Sequence, residues 1–366
     1  MKKIKIITFH SAHNYGAILQ VYALQKLLRK ENDVEVINYR NNNIDNTYKL
    51  INPEALKTII KSITKNILYF RRNITRYNKF ENIIKEKLNL TKKYNSEEEI
   101  KKDFPKADVY ITGSDQVWNT SITKGLQDSY TLNFGDDSTR RISYAASIGK
   151  SKLTDAEKEV FKEKISKLDY ISVREEDAKK ILTPVINKPI EVVLDPTLLI
   201  SKEEWQNEIK NVKKEKEEYI LAYTVGADDE YYKIINELSK KTNLRVIHFE
   251  TRNKKIKNVL RNAYTSDPFE FINLIKNAKY VVCTSFHATV FSIIFNKKFF
   301  VIPHRQTGSR VTNLLKKLGI ENRIYNDLKE FKDRDYNFDT NWEEVEEKIE
   351  QEKDKSLNWL NNSIQD

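Results

Sequence analysis

The sequence predicts an α/β protein of two domains, each a parallel sheet wound with helices. Three observations carry that prediction. Short, β-branched apolar runs alternate with stretches of helical apolar spacing along most of the chain, the pattern of βαβ units. The stretch from Pro184 to Pro196 interrupts the alternation, and a fresh strand and helix series follows it. A chain of 366 residues is long for one core, and 39% hydrophobic content is enough for two. The expected domains are 1–185 and 186–335, with a charged helix over 340–364 returning to the first. Polar loops at the strand ends of both domains imply edges facing across a cleft.

Taken in order, Lys3 to Phe9 alternates as a strand, and a polar loop from His10 to Gly16 leads into a helix over Ala17 to Lys30. Asp33 to Tyr39 is the next strand. In the loop, Asn14 and Tyr15 are candidate polar contacts to a ligand, and Gly16 is either a tight turn or a point of close backbone approach. Residues 52–93 are helical in pattern and basic, with eleven Lys and Arg against three Glu. They form either an interfacial segment drawn to anionic lipid or a helical excursion with a solvated basic face. Asp108 to Thr112 is a strand, followed by Gly113, Ser114, Asp115, Gln116, Val117, Trp118 and Asn119. Side chains that can bind hydroxyls, with one aromatic among them, suit a sugar-binding edge. Arg141 to Ser147 is a further strand, and Thr154 with Glu157 is a capping box opening a helix. Tyr170 to Val173 ends at Arg174, ahead of a helix over Glu175 to Leu182. Acidic neighbours offer Arg174 a surface ion pair, while its place at a strand end suits a bidentate grip on phosphate or carboxylate.

The second series opens at strand Ile190 to Leu194 and continues with Tyr219 to Val225, helix Asp229 to Lys241, strand Leu244 to Phe249 and a helix begun by Asp267-Pro268. The stretch Lys279 to His304 is a complete βαβ unit: strand Tyr280 to Cys283, helix His287 to Phe295, strand Phe299 to Ile302. His287 falls where a strand's carboxyl end meets a helix amino terminus, the edge at which open α/β sheets bind ligands and hold anions. The loop from Arg305 to Arg310 then enters a helix over Val311 to Leu318.

Composition narrows the function. The formal charge of +11 is spread along the chain, which disfavours nucleic acid and leaves anionic small substrates or a membrane face. A single cysteine, Cys283, sits inside a strand and excludes a disulfide framework and a multi-cysteine zinc site. His10 and His13 lie three apart without a carboxylate pair in sequence, so no metal is expected. No phosphate loop of the G-x-G-x-x-G or G-K-[ST] type is present. The opening apolar run is too short for a signal peptide, and no window approaches a bilayer span. A cytoplasmic protein, at most peripheral to the inner membrane face, is the expectation.

The order and spacing of six short motifs resemble the polysaccharide pyruvyl transferase family. They are Asn14-Tyr15-Gly16; Gly113 to Asn119; Ser143-Tyr144-Ala145-Ala146-Ser147; Ser172-Val173-Arg174-Glu175; Leu194-Asp195-Pro196-Thr197; and Thr284-Ser285-Phe286-His287. The resemblance implies two Rossmann-like domains in a GT-B-like arrangement. It also implies transfer of a pyruvyl group from phosphoenolpyruvate, a donor substrate with no separate cofactor, to two hydroxyls of a sugar or lipid-linked oligosaccharide. By that resemblance His287 is the general acid and Arg174 binds the donor, while Asn14, Tyr15, Gly16, Ser114, Asp115, Gln116 and Asn119 face the acceptor. Many members carry an Arg two residues before the His; here Ser285 stands there. The missing charge is then expected from Arg310, which enters a helix at the same sheet edge, or from Arg305. A nucleotide-sugar glycosyltransferase of the same architecture, or a membrane-adjacent assembly protein using the basic segment, are the competing readings.

Overall fold

The computed structural model describes residues 1–41, 44–45, 63–226, 228–251, 255–303, 308–337 and 339–365, and over 63–69 only their backbone. Two compact units emerge. The first comprises Met1–Ser62, Phe80–Ile200 and Glu350–Asp366; the second comprises Ile63–Lys79 and Ser201–Ile349.

The first unit is built on seven strands: β1 (Lys3–Ile7), β2 (Asp33–Tyr39), β3 (Leu90–Tyr94), β4 (Val109–Asp115), β5 (Arg140–Ala146), β6 (Tyr170–Val173) and β7 (Ile190–Val192). Every pairing is parallel, in the order β3-β2-β1-β4-β5-β6-β7. Helix α1 (Tyr15–Leu28) is buried on nearly every side, as a crossover beside a two-faced sheet requires. It packs closely on the sheet at Gly113, where an added Cβ would stand 3.1 Å from Leu24 Cδ2. The second unit has five strands: β8 (Tyr219–Tyr223), β9 (Arg245–His248), β10 (Val259–Asn262), β11 (Tyr280–Cys283) and β12 (Lys298–Val301). All are parallel, in the order β10-β9-β8-β11-β12. Both sheets are therefore wound from a central first strand outward in both directions, the Rossmann-like order. Each has a switch point, between β1 and β4 in one and between β8 and β11 in the other.

Several elements depart from the sequence reading. The boundary falls at Ile200, not 185, because β7 completes the first sheet beside β6. The basic stretch 52–93 is not helical throughout. Residues 52–62 lie outside the described residues, helix α2 spans Ile63–Lys87, and Leu90 begins edge strand β3. The lysines of LTKKY hid that strand, yet lysine is what an exposed sheet edge tolerates. Strand β10 was missed for the same reason: four residues, with Arg261 on the rim. Three basic side chains of α2 are drawn into the second unit's own packing. Arg72 and Arg76 lie over the Tyr264 ring at 5.5 and 5.0 Å, Arg76 Nη1 donates to the Tyr264 carbonyl at 2.8 Å, and Lys79 pairs with Glu270 at 2.7 Å. Among the described residues no helix is long and apolar enough to cross a membrane.

The carboxyl-terminal helix, Trp342–Gln365, contributes its last turns to the first unit. There Arg140 Nη1 donates to the Ile364 carbonyl at 2.9 Å, and Ser356 Oγ accepts from the Leu194 amide at 3.0 Å. Neighbouring Arg141 is a buried strut. Its guanidinium donates to the carbonyls of Leu132, Thr139, Phe134 and Asp136 at 2.8–3.0 Å, holding the loop between β4 and β5. A lysine cannot reproduce that fork and would strand buried carbonyls, each costing about 1–3 kcal/mol. Arg141→Lys is expected to lower unfolding stability by about 2–4 kcal/mol in denaturant titration; a change under 0.5 kcal/mol would show that the strut is dispensable.

Candidate functional site

In the second unit, His287 stands at the switch point. Strands β8 and β11 end side by side, where the Thr224 and Thr284 hydroxyls meet at 3.2 Å and Thr284 Oγ1 accepts from the Val225 amide at 2.9 Å. Ser285 is extended and caps helix Phe286–Ile294 through its backbone: its carbonyl accepts from the Thr289 amide at 3.1 Å and from Thr289 Oγ1 at 3.0 Å. The Ser285 side chain makes no capping bond, so the positive end of this nine-residue helix opens at the sheet's ligand edge. His287 is the second helical residue, only 9% exposed, with its ring edge-on to Phe286. Burial pushes the nearby Cys283 thiol up to about 11, which fits a small hydrophobe rather than a nucleophile. Arg310 lies in the first turn of helix Ser309–Leu318, half-buried. Arg305 lies outside the described residues.

In the first unit, residues from three of the sequence motifs converge on one carboxylate. After β7 the chain runs back over the carboxyl edge of the sheet, pinned at Leu194 by the Tyr144 hydroxyl (3.0 Å) and by Ser356. That crossing delivers Asp195, fully buried, to the ends of β4 and β6. Asp195 Oδ1 accepts from the Thr197 amide and hydroxyl at 3.0 and 2.7 Å; Oδ2 accepts from Ser114 Oγ at 2.8 Å and Arg174 Nη1 at 3.0 Å. Arg174 Nε lies 3.6 Å from Glu175 Oε2, and Glu175 Oε1 accepts from Ser147 Oγ at 2.5 Å. Burial, the largest influence, works against the guanidinium's charge. The carboxylates of Asp195, Glu175 and Asp115 outweigh it and raise the Arg174 pKa above its ordinary value. The surface ion pair that its acidic neighbours suggested is thus a buried one, and Arg174 and His287 belong to different units.

Most of the residues expected to face an acceptor have structural duties. Asn14 caps α1, its Oδ1 accepting from the amides of Gly16 (2.9 Å) and Ala17 (3.4 Å). Tyr15 is 1% exposed and packs on Phe80, so it is a core aromatic. Gly16 has ordinary helical backbone rather than a turn. Trp118 is fully buried and donates its indole N–H to the Tyr130 carbonyl at 3.0 Å; it offers no sugar platform. Ser114 spends its proton on Asp195. Asn119 Nδ2 donates to Gln116 Oε1 at 2.9 Å, and a Cβ on Gly149 would collide with both side chains. Asp115 remains half-exposed at the switch point with φ at 144°, where a non-glycine backbone is strained.

Sequence reasoning passed over a second polar cluster at the same edge, because its members are far apart in the chain. Arg40 grips Glu81 bidentately at 2.9 and 3.1 Å, His13 Nε2 meets Glu81 Oε1 at 3.1 Å, and Ser11 Oγ donates to Asp45 at 2.7 Å. Burial would raise the Glu81 carboxyl, but the bonds from His13 and Arg40 hold it down to about 2. Burial first, then Arg40, pushes His10 down to about 4, leaving its imidazole neutral against Asn38 at 3.1 Å. A histidine with a depressed folded pKa contributes no penalty above its unfolded value. As pH falls from about 6.5 to about 4 the unfolded chain takes up the proton first, and stability is lost. His10→Asn is expected to flatten the decline in unfolding midpoint between pH 6.5 and 4; an unchanged slope would remove His10 as its source. Among the described residues no group of three or more His, Cys, Asp or Glu is close enough to hold a metal.

The family model for polysaccharide pyruvyl transferases matches residues 14–306, a span that includes both Arg174 and His287. No curated protein matches the sequence. Among solved structures, UDP-N-acetylglucosamine 2-epimerase from Rickettsia bellii is similar at a TM-score of 0.52 and 13% identity, covering 100% of this chain and 97% of that one. UDP-GlcNAc 2-epimerase from Neisseria meningitidis, bound to UDP-GlcNAc, is similar at 0.50 and 11% identity, covering 99% and 94%. At those identities the likeness is one of fold.

Proposed function

The chain belongs to the polysaccharide pyruvyl transferase family, and from that premise we propose that it moves a pyruvyl group from phosphoenolpyruvate onto two hydroxyls of a sugar, forming a cyclic ketal and releasing phosphate. The observation that carries the reading is the position of His287. It is a buried imidazole at a sheet switch point, in the first turn of a helix without a side-chain cap, within the matched family span. In the proposed reaction His287 protonates the donor's methylene carbon, and the carbon bearing the phosphate becomes electrophilic. One sugar hydroxyl adds there and loses its proton; the second hydroxyl then displaces phosphate and closes the ring. Positive charge is needed around the donor's carboxylate and phosphate. Arg174 is the proposed donor ligand, with Arg310 and the helix terminus behind Ser285 supplying what the missing family arginine would have given. Asp115 and Gln116, the two half-exposed residues of their loop, are the proposed acceptor contacts. The acceptor is a sugar of a cell-surface polysaccharide or its lipid-linked precursor, in the latter case met at a membrane face.

Calorimetry with phosphoenolpyruvate and phosphate release with a panel of lipid-linked and nitrophenyl sugars test the reading; absence of donor binding would sink it. The competing nucleotide-sugar transferase predicts that UDP- or GDP-sugars, rather than phosphoenolpyruvate, raise the thermal midpoint. His287→Asn is expected to keep the fold and lose roughly 100- to 10,000-fold in phosphate release. Retention of near-normal turnover would remove His287 from the proton-donor role.

A further inference from the structure

Resting on that reading, we propose that Asp195 is the residue that positions Arg174 for the donor. A guanidinium is a rigid planar fork, so anchoring one of its nitrogens on a fixed carboxylate restricts where the other two can reach. Asp195 fixes Nη1 at 3.0 Å through Oδ2, with neither carboxylate atom left to swing. The Thr197 amide and hydroxyl hold Oδ1, and Ser114 Oγ holds Oδ2 from the β4 side. Glu175 does not do the same work, because its carboxylate stands 3.6 Å from Nε, outside hydrogen-bond distance.

The arrangement reaches beyond its immediate contacts. Asp195 follows β7 but bonds to Ser114 at the end of β4, three places away in the sheet order. It can do so only because the chain from Leu194 crosses the carboxyl edge, held by Tyr144 on one side and Ser356 on the other. Stability alone is a poor explanation for this design. Buried ion pairs seldom improve on well-packed apolar side chains, whereas breaking one partner leaves an uncompensated charge. A buried pair with every Asp195 bond satisfied, at the edge where parallel sheets take ligands, is a device for aiming an arginine.

Asp195→Asn keeps the shape but turns amide hydrogens toward donors on one side or the other. With phosphoenolpyruvate as donor and the sugar that the wild type accepts, it should raise donor KM roughly 10- to 100-fold, with acceptor KM unchanged and kcat altered far less. In spectra of protein carrying 15N-arginine, the slowly exchanging Arg174 side-chain N–H signals should be lost. Asp195→Asn added to Arg174→Ala should cause no further loss. An Asp195→Asn protein whose Arg174 signals are unchanged, or whose donor and acceptor KM rise together, would overturn the proposal. If Asp195→Asn does not fold, Thr197→Val, which removes only one bond on Oδ1, gives the same two readings with a smaller donor effect. A wild type that never binds phosphoenolpyruvate would refute the functional reading instead, and the arginine spectra would still test the positioning.

Discussion

All strand pairing in both units is parallel, and most of what this protein can do follows from that constraint. Parallel neighbours cannot be joined by tight turns, so each strand must be followed by a return over one face of the sheet. The returns cover both faces, the central strands bury nearly all their side chains, and strand after strand ends at the same edge. Polar side chains have little room elsewhere in the sheet. The two switch points then separate neighbouring returns, leaving the ends of β1 and β4, and of β8 and β11, accessible to polar loops. His287, Asp115 and the Asp195 network stand at these carboxyl edges.

The units use their edges differently. The first holds its arginine against an excess of negative charge, two carboxylates to one guanidinium, with hydroxyls from Ser114, Ser147 and Thr197 bonded to those carboxylates. The second relies on backbone: a helix terminus without a side-chain cap, next to an imidazole. Fixed dipoles cost no reorganisation when charge develops beside them, which makes such a terminus a suitable neighbour for proton transfer. The net charge of +11 bears little on either edge. On the basic helix α2, Arg72 and Arg76 are spent stacking on Tyr264.

Periodicity made the architecture legible. Strands β2, β6 and β11 have the bounds their apolar runs predict, and the Thr154 and Asp267 caps open helices where their side chains suggest. Edge strands were harder to read, because an edge selects for lysine and arginine as much as for β-branched residues. His287 could be located because one strand-to-helix junction fixed its place. The roles of the other motif residues were not readable, since hydrogen-bonding type alone does not distinguish a group that meets a ligand from one that meets its own backbone. Asn14 caps a helix, Trp118 feeds a core, and Ser114 serves Asp195, 81 places away; each needed its partner's position. Asp195 itself stands in one of the six motifs, with no role legible from its residue type.

The backbone of Asp115 has a consequence for how such a sequence can change. A non-glycine residue at φ 144° carries a standing strain, on the order of 1–3 kcal/mol, that glycine would relieve. Glycine would also give up the bond that Asp115 Oδ1 accepts from the Gln116 amide at 2.8 Å and the negative charge it sets near Arg174. Libraries screened only for heat resistance would therefore report, at this one position, whether relief of backbone strain outweighs those two contacts.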